Sequence, residues 1–447
     1  LQKAAAAGAS QKAHEVLEKT SGTKLRKAAT RVRKRDEHKF EGYFKNLMTA
    51  KEEKPEDIQK HKETRGWKEC DRVLDGERDA IWDVKDDIPT LTEVEAAVGN
   101  LKIRKACSGI LPPEIYKACP ELVREIHIMI VKFWKNEELP AEDFSFAAEV
   151  CLIHKAKAKS DPVNYRPLSL LEATEAIVSN VIYARLQKEA TKKVNERNFG
   201  SMKGRSGRGA VWMALRIIEG KMDPTKPMTD RKAVMSFIDF QKAYDSVRHD
   251  SMFAILLQAG VPTRLVSVMQ RMYGQATSKI RFGPNTAGTA YSQSCGIRQG
   301  SALSPLLFVI VVDWAMKRFE SVCAELGITD FEWMAYVDDI VVETKSIRDA
   351  ELSNRELEAI SRFTGLKINA TKTEVMPINV APFRVDAEKA MIEEVTVERK
   401  EEMQMADGTI GVKKVDKKAR IIDYNGGIEV MGAETFRKLI YGGKTPK

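Results

Sequence analysis

Two adjacent carboxylates, Asp338 and Asp339, interrupt an apolar run in "MAYVDDIVVE", residues 334–343. Like charges a few ångströms apart repel, and burying them is costly unless something positive sits beside them. A second acidic pair, Asp86–Asp87 in "VKDDIPT", is flanked by polar residues and a proline and reads as a solvated turn. The pair at 338–339 instead lies between two strand-like segments, which predicts a hairpin with acids at its tip. Asp239 ends another short apolar run, "AVMSFIDF" at 233–240. If the hairpin and this strand share one sheet, three carboxylates converge at its edge. An all-oxygen cluster of that kind suits hard divalent cations, Mg²⁺ first among them. Two such ions roughly 3.5–4 Å apart would stabilise the attacking and leaving oxygens of a phosphoryl transfer.

Three further segments fit that chemistry. "GIRQGSALSPLLF" at 296–308 is a polar loop opening a helix, where Gln299 offers an amide and Gly300 permits close backbone approach to a ligand. "SFIDFQKAYDSV" sets Tyr244 five residues after Asp239, near any ligand on the metals. "HKAKAKSDPVNYRP" at 154–167 supplies Lys155, Lys157, Lys159 and Arg166, cations able to clamp a triphosphate. "YGGKTPK" at 441–447 contains Gly-Lys-Thr, but a phosphate loop would need a Gly where Lys438 stands.

The elements that must position these groups are partly legible. Residues 1–65 are rich in Ala, Lys and Glu and predict loosely packed helices. "LTEVEAAVGNL" at 91–101 predicts a helix capped by Thr92, with Glu95 completing a capping box. A strand runs from 147 into the basic loop, and a strong helix covers 172–190. Helices follow at about 250–259, with Asp250 as cap and Gly260 as stop, and at 263–273. "SKIRF" and "AYSQSC" predict a strand pair, and a helix runs from Pro305 to about Val322 with Ser304 as cap. A last helix covers 347–363, and residues 377–435 are charged and poorly patterned.

Composition bounds the function. The 447 residues are 43% hydrophobic, enough for more than one domain and a large core. The longest apolar run, "PLLFVIVV", stops at Asp313, short of the roughly 18 residues of a membrane span. No signal peptide is recognisable, and the chain begins without Met, which suggests a fragment. Six scattered cysteines without a Cys-x-x-Cys pair argue against zinc and disulfides and suit a reducing compartment. The formal charge is +9, and residues 1–40 hold eleven Lys/Arg against four Asp/Glu. Such a cluster reads either as a solvated helix or as an arm that contacts phosphates, since clustered cations are the footprint of nucleic-acid binding.

Five segments in order, "NYRPLSLL", "FIDFQKAYDSV", "GIRQGSALSPLLF", "AYVDDIVV" and "GLKINATKTEVM", resemble the reverse transcriptase of non-LTR (LINE-like) retrotransposons over about 91–376. The resemblance implies an α+β fold, a right-hand polymerase palm and fingers with a helical basic N-terminal extension. It implies residues 1–90 as that extension or linker, 91–230 as fingers and 231–376 as palm. Residues 377–447 then form a charged segment ending near a primer-grip-like "FRKLIYGG", with neither endonuclease nor thumb in the chain.

The roles it implies fall on individual residues. Asp239, Asp338 and Asp339 would be the catalytic carboxylates and metal ligands for Mg²⁺, with Mn²⁺ the alternative. Phe240 would lend its carbonyl, and Tyr244 would exclude a ribose 2′-hydroxyl. Gln299 and Gly300 would line the nucleotide pocket. Lys155 and Arg166 would hold the triphosphate, and Lys372 would protonate the pyrophosphate. The partners implied are an RNA template, a DNA primer and a dNTP, with no membrane, in a cytoplasmic or nuclear ribonucleoprotein rather than a secreted form. Two segments depart from the family pattern: "KACSGILPPE" at 105–114, and "FGSMKGRSGRGA" at 199–210, with Gly207 and Gly209 where Thr and Asp are common. The competing readings are a decayed relic that binds nucleic acid without chemistry, and an RNA-dependent RNA polymerase, which the bulk of Tyr244 disfavours.

Overall fold

The computed structural model describes residues 32–49, 55–103, 107–109, 111–139, 144–155, 158–283 and 287–380, and the strands 392–404, 410–422 and 429–430 as backbone. Expectations on residues 1–31, on Lys157, on Cys107's preceding residues 104–106 and on the "FRKLIYGG" and "YGGKTPK" stretches lie outside them.

The chain order begins with helices α1 (Glu37–Met48), α2 (Pro55–Lys62), α3 (Arg65–Leu74), α4 (Leu91–Gly99), α5 (Pro113–Ala118) and α6 (Pro120–Trp134). Strands β1 (Ala147–His154) and β2 (Tyr165–Leu171) follow, then α7 (Ala173–Lys193), α8 (Gly207–Met222) and α9 (Met228–Arg231). Next come β3 (Ala233–Ile238), α10 (Ala243–Ser246), α11 (His249–Gln258), α12 (Thr263–Gly274), β4 (Thr277–Arg281), β5 (Tyr291–Ser292) and α13 (Ser304–Glu325). The series continues with β6 (Glu332–Tyr336), β7 (Asp339–Thr344), α14 (Ile347–Phe363), β8 (Glu374–Ile378), β9 (Ile392–Gln404), β10 (Ile410–Ile422) and β11 (Glu429–Val430).

The larger sheet has the order β11-β8-β3-β7-β6. Its central strand β3 pairs antiparallel with both β7 and β8 and is buried along almost its whole length. Helices cover both of its faces, which is why "AVMSFI" reads as a continuous apolar run rather than an alternating one. Ile238, Ile340 and Val342 join the main core with α13 and α14. On the opposite face, Met235 and Met376 pack with Ile218 of α8. α13 runs through the main core. Its one acid in the apolar run, Asp313, is buried but accepts from the Asn195 amide at 2.8 Å and pairs with Lys317 at 3.0 Å.

The smaller sheet has the order β2-β1-β4-β5, with β1 and β2 an antiparallel hairpin and β1 parallel to β4. Here the expectation of loose N-terminal helices fails for the described part of that region. Phe40, Phe44 and Met48 of α1 are buried against Val150, Leu152, Tyr165 and Ile280 of this sheet, with Phe40 edge-on to Tyr165 at 5.0 Å between ring centroids. Their spacing of four residues puts all three on one helical face, and Tyr43 and Leu47 pack beside them, so α1 seals the sheet with an apolar stripe that the average composition of residues 1–65 conceals.

Three expected caps shift. Thr90, not Thr92, caps α4, with Glu93 completing the box, because the helix begins at Leu91. Asp250 lies in the first turn of α11 rather than at its cap, which is Arg248. Ser304 is the first residue of α13, and its hydroxyl donates to the Arg298 carbonyl at 2.7 Å. The stretch 377–435, expected to lack pattern, contains the antiparallel ribbon β9–β10, thirteen residues on each side, and β11 adds to β8.

Candidate active site

The hairpin and the strand do share one sheet. β6 and β7 are joined by the two residues Val337 and Asp338, and Tyr336 pairs with Asp339 across the turn. The register that sets Ile238 opposite Ile340 carries Asp239 alongside Asp339 one step further on. Val337 has φ 61°, a conformation that a β-branched residue adopts only at a cost in strain. The turn is held from outside. Residues 197–200 run along the free edge of β6, where Phe199 donates to the Ala335 carbonyl at 2.7 Å and Ala335 donates back to that of Arg197 at 3.0 Å. Gly200 is required there, since a Cβ would lie 2.5 Å from the Val337 nitrogen. Gly207 and Gly209 serve the same close approach: a Cβ on them would press on the rings of Tyr336 and Phe199.

Asp339 senses the other two acids. Asp339 is raised above the usual carboxylate range, first by partial burial and then by the charges of Asp338 and Asp239, with Lys372 opposing. Asp239 is held by the "GLKIN" segment and its successor. Its Oδ2 accepts from Asn369 Nδ2 at 3.0 Å and from Lys372 Nζ at 3.1 Å, and its carbonyl accepts from the Asn369 amide at 2.8 Å. Asn369 went unnoticed in the sequence, although it stands three residues before Lys372 in a segment already singled out. Phe240 is buried and bridges to Ile368. Among the described residues no trio of acidic, histidine or cysteine side chains is closed into a metal-binding set. The donors are nonetheless carboxylate oxygens around a shared excess of negative charge, a set whose chemistry fits a divalent cation.

Tyr244 stacks on Phe308 of α13 at 4.6 Å and 11°. Burial and the nearby Asp338 charge push its hydroxyl up to about 12, so it stands beside the acids as a neutral phenol. The β1–β2 hairpin brings its cations to the same place. Lys155 is lowered by partial burial and by Arg166 and Lys372, while Asp245 and Asp239 pull it the other way. The charges of Asp245 and Asp239 thus act on Lys155, while the Lys159 carbonyl accepts the Tyr165 hydroxyl at 2.9 Å.

The loop at 296–301 is fixed on every side. Arg298 is buried and pairs with Glu175 of α7 at 2.5 Å, and it donates to the carbonyls of Phe146 at 2.8 Å and Thr277 at 3.0 Å. The Gln299 carbonyl accepts from Ser169 of β2 at 2.8 Å. The close backbone approach that Gly300 permits is to protein: with φ 135°, a Cβ there would lie 2.4 Å from the Ser169 carbonyl oxygen. The Gln299 side chain donates to buried Asp245 at 2.9 Å.

Among the described residues no helix is long and apolar enough to cross a membrane. Comparison with known proteins gives this arrangement a lineage. Residues 153–405 match the family described as reverse transcriptase (RNA-dependent DNA polymerase), a span holding every site residue discussed above. The chain is 24% identical over 228 residues to a retrovirus-related Pol polyprotein from a type-1 retrotransposable element R2 of Nasonia vitripennis, covering 51% of this chain and 22% of that protein. It is 24% identical to the type-2 element R2DM Pol polyprotein of Drosophila melanogaster, covering 53% and 22%. It is 22% identical to the 149 kDa protein of transposon TX1 of Xenopus laevis, covering 56% and 19%. The chain thus spans about a fifth of the length of these relatives. The match extends over more than half of its residues, and the chain belongs to the reverse transcriptase family, beside the Pol proteins of non-LTR retrotransposable elements.

Proposed function

We propose that the chain is an RNA-directed DNA polymerase that adds dNTPs to a primer 3′-hydroxyl on an RNA template during retrotransposition. The observation that carries this is the register that brings Asp239 at the end of β3 beside Asp338 and Asp339 at the β6–β7 turn, where Asp339 is raised first by burial and then by the other two charges. Asp239 and Asp338 would be the principal ligands of two Mg²⁺ ions, or Mn²⁺, with Asp339 beside them and the Phe240 carbonyl assisting. Bound there, divalent cations supply a lowered barrier to attack of the hydroxyl on the α-phosphate.

The chain's own residues do the rest. Lys155 and Arg166 neutralise and clamp the triphosphate from the β1–β2 hairpin. Tyr244, kept rigid by its stack on Phe308, leaves no room for a ribose 2′-hydroxyl and so selects dNTPs. Gln299 lines the nucleotide pocket from its fixed loop. Lys372, beside Asp239 at 3.1 Å, is placed to move away from that carboxylate and give its proton to the departing pyrophosphate. The test is single-nucleotide extension of a primed RNA template with dNTPs and, separately, rNTPs. The reading predicts template-dependent dNTP addition and rejection of rNTPs that Tyr244→Ala relaxes. Equal use of both nucleotides by the unaltered chain would remove the gate and favour an RNA polymerase.

A further inference from the structure

Asp245 has no role in the scheme above, yet it is buried where the two sheets meet. It sits on α10, six residues after Asp239, and its Oδ1 accepts from Gln299 Nε2 at 2.9 Å. Burial raises the Asp245 carboxyl to about 6, against the opposing pull of Lys242, the Gln299 bond, Lys155 and Arg166, and half-buried Lys242 also lies over the Tyr43 ring at 4.1 Å. Above about pH 6 Asp245 is ionised, and a carboxylate can only accept hydrogen bonds. The NH₂ end of the Gln299 amide must therefore face Asp245, and its Oε1 must face away. The Gln299 backbone cannot turn to change this, since its carbonyl is bound by Ser169 and Gly300 packs on the same strand.

We infer that Asp245 is a positioning residue that fixes the polarity of the Gln299 amide, so that the nucleotide pocket is offered an acceptor rather than a donor. This rests on the polymerase reading and on Gln299 lining the pocket. The chemical class recognised follows: the phosphates of a dNTP only accept, so Gln299 Oε1 is directed at a hydrogen-bond donor on the sugar or base. Without Asp245 the amide is free to flip, and an NH₂ group pointing at the same donor is repelled.

The test is a double-mutant cycle on dTTP incorporation opposite poly(rA) with the full chain. Asp245→Asn is expected to raise the KM for dTTP about tenfold and leave kcat within about threefold, the loss of one oriented neutral hydrogen bond. Gln299→Ala is expected to do the same, and the double variant to be no worse than Gln299→Ala alone. Costs that multiply to about a hundredfold in the double variant, or a fall in kcat with KM unchanged, would overturn the inference. Gln299→Glu guards against Asp245→Asn failing to fold. It sets a second carboxylate against Asp245 and should raise the KM beyond the Gln299→Ala value, and equal values would overturn the inference. Absence of incorporation by the unaltered chain would instead count against the polymerase reading itself.

Discussion

Replacing Gly300 by Ala tests whether the loop at 296–301, proposed to line the nucleotide pocket, is locked to β2. Two costs add. A φ of 135° lies in a region essentially confined to glycine, and forcing a side chain into it costs about 1–3 kcal/mol. The new Cβ would also stand 2.4 Å from the Ser169 carbonyl oxygen, a backbone atom with no rotamer to escape through. Overpacking of this kind costs about 1–3 kcal/mol. The loop cannot swing clear, because Arg298 on one side makes two buried bonds and a partly buried third, and the Gln299 carbonyl accepts from Ser169. The sum is about 2–6 kcal/mol, a large share of the roughly 5–15 kcal/mol that holds a typical domain together. Urea or thermal unfolding should show it as a clear fall in the midpoint, with a raised KM for dTTP in whatever still folds. Gly274→Ala is the matched control: no heavy atom lies within 4 Å of its Cβ position at the end of α12, and a gain of about 0.5–1 kcal/mol is expected. A Gly300→Ala chain with unchanged midpoint and unchanged KM would refute the locked loop.

Other consequences follow from particular contacts. Phe40→Ala, which empties a fully buried ring site between α1 and the smaller sheet, should cost about 3–5 kcal/mol in urea unfolding; a loss under about 1 kcal/mol would mean that α1 does not seal that sheet. The Arg185 guanidinium, donating at 2.8 and 2.9 Å, holds the Glu93 carboxyl down to about 2, helped by the Thr90 amide. Because the folded value lies below the ordinary 4.5, this stabilisation is complete above about pH 4.5 and is lost as pH falls through about 2. Glu93→Gln should therefore destabilise by about 1–3 kcal/mol at neutral pH and flatten the acid limb of the stability curve, and an unchanged acid limb would contradict the pairing. Lys372→Ala should shift stability by less than about 1 kcal/mol, the Lys372 side chain being 65% exposed, while lowering kcat for incorporation about a hundredfold. An unaltered kcat would remove Lys372 from the chemistry.

What could be read in the sequence and what could not divides along physical lines. The acids at 338–339 were legible because charge inside an apolar strand pair demands an explanation, and the Asp86–Asp87 pair, flanked by polar residues, does not. β3 and α13 were legible because both are buried nearly all round, so their apolar runs are continuous. The cap of α4 was ambiguous on its face: Thr90 with Glu93 and Thr92 with Glu95 satisfy the same spacing, and only packing decides where the first turn begins. The grip of Asn369 on Asp239 spans 130 residues of chain, and the Asp245–Gln299 bond spans 54. No local pattern encodes such a meeting. Gly300 was legible as a point of close approach, but its partner, a carbonyl of β2, appears only once the two sheets are set side by side. The β9–β10 ribbon is dense in Glu and Lys and lacks the apolar alternation by which a half-buried strand is recognised.

The central claim is that the three carboxylates act as one centre for nucleotide addition. Primer extension tests it most directly: purified chain, oligo(dT) on poly(rA), dTTP and Mg²⁺ or Mn²⁺, with Asp338→Asn alongside and its fold checked by circular dichroism. Metal-dependent incorporation by the unaltered chain and none by the folded Asp338→Asn variant is the predicted result. Incorporation that survives the substitution, or duplex binding without incorporation by either chain, would contradict the claim.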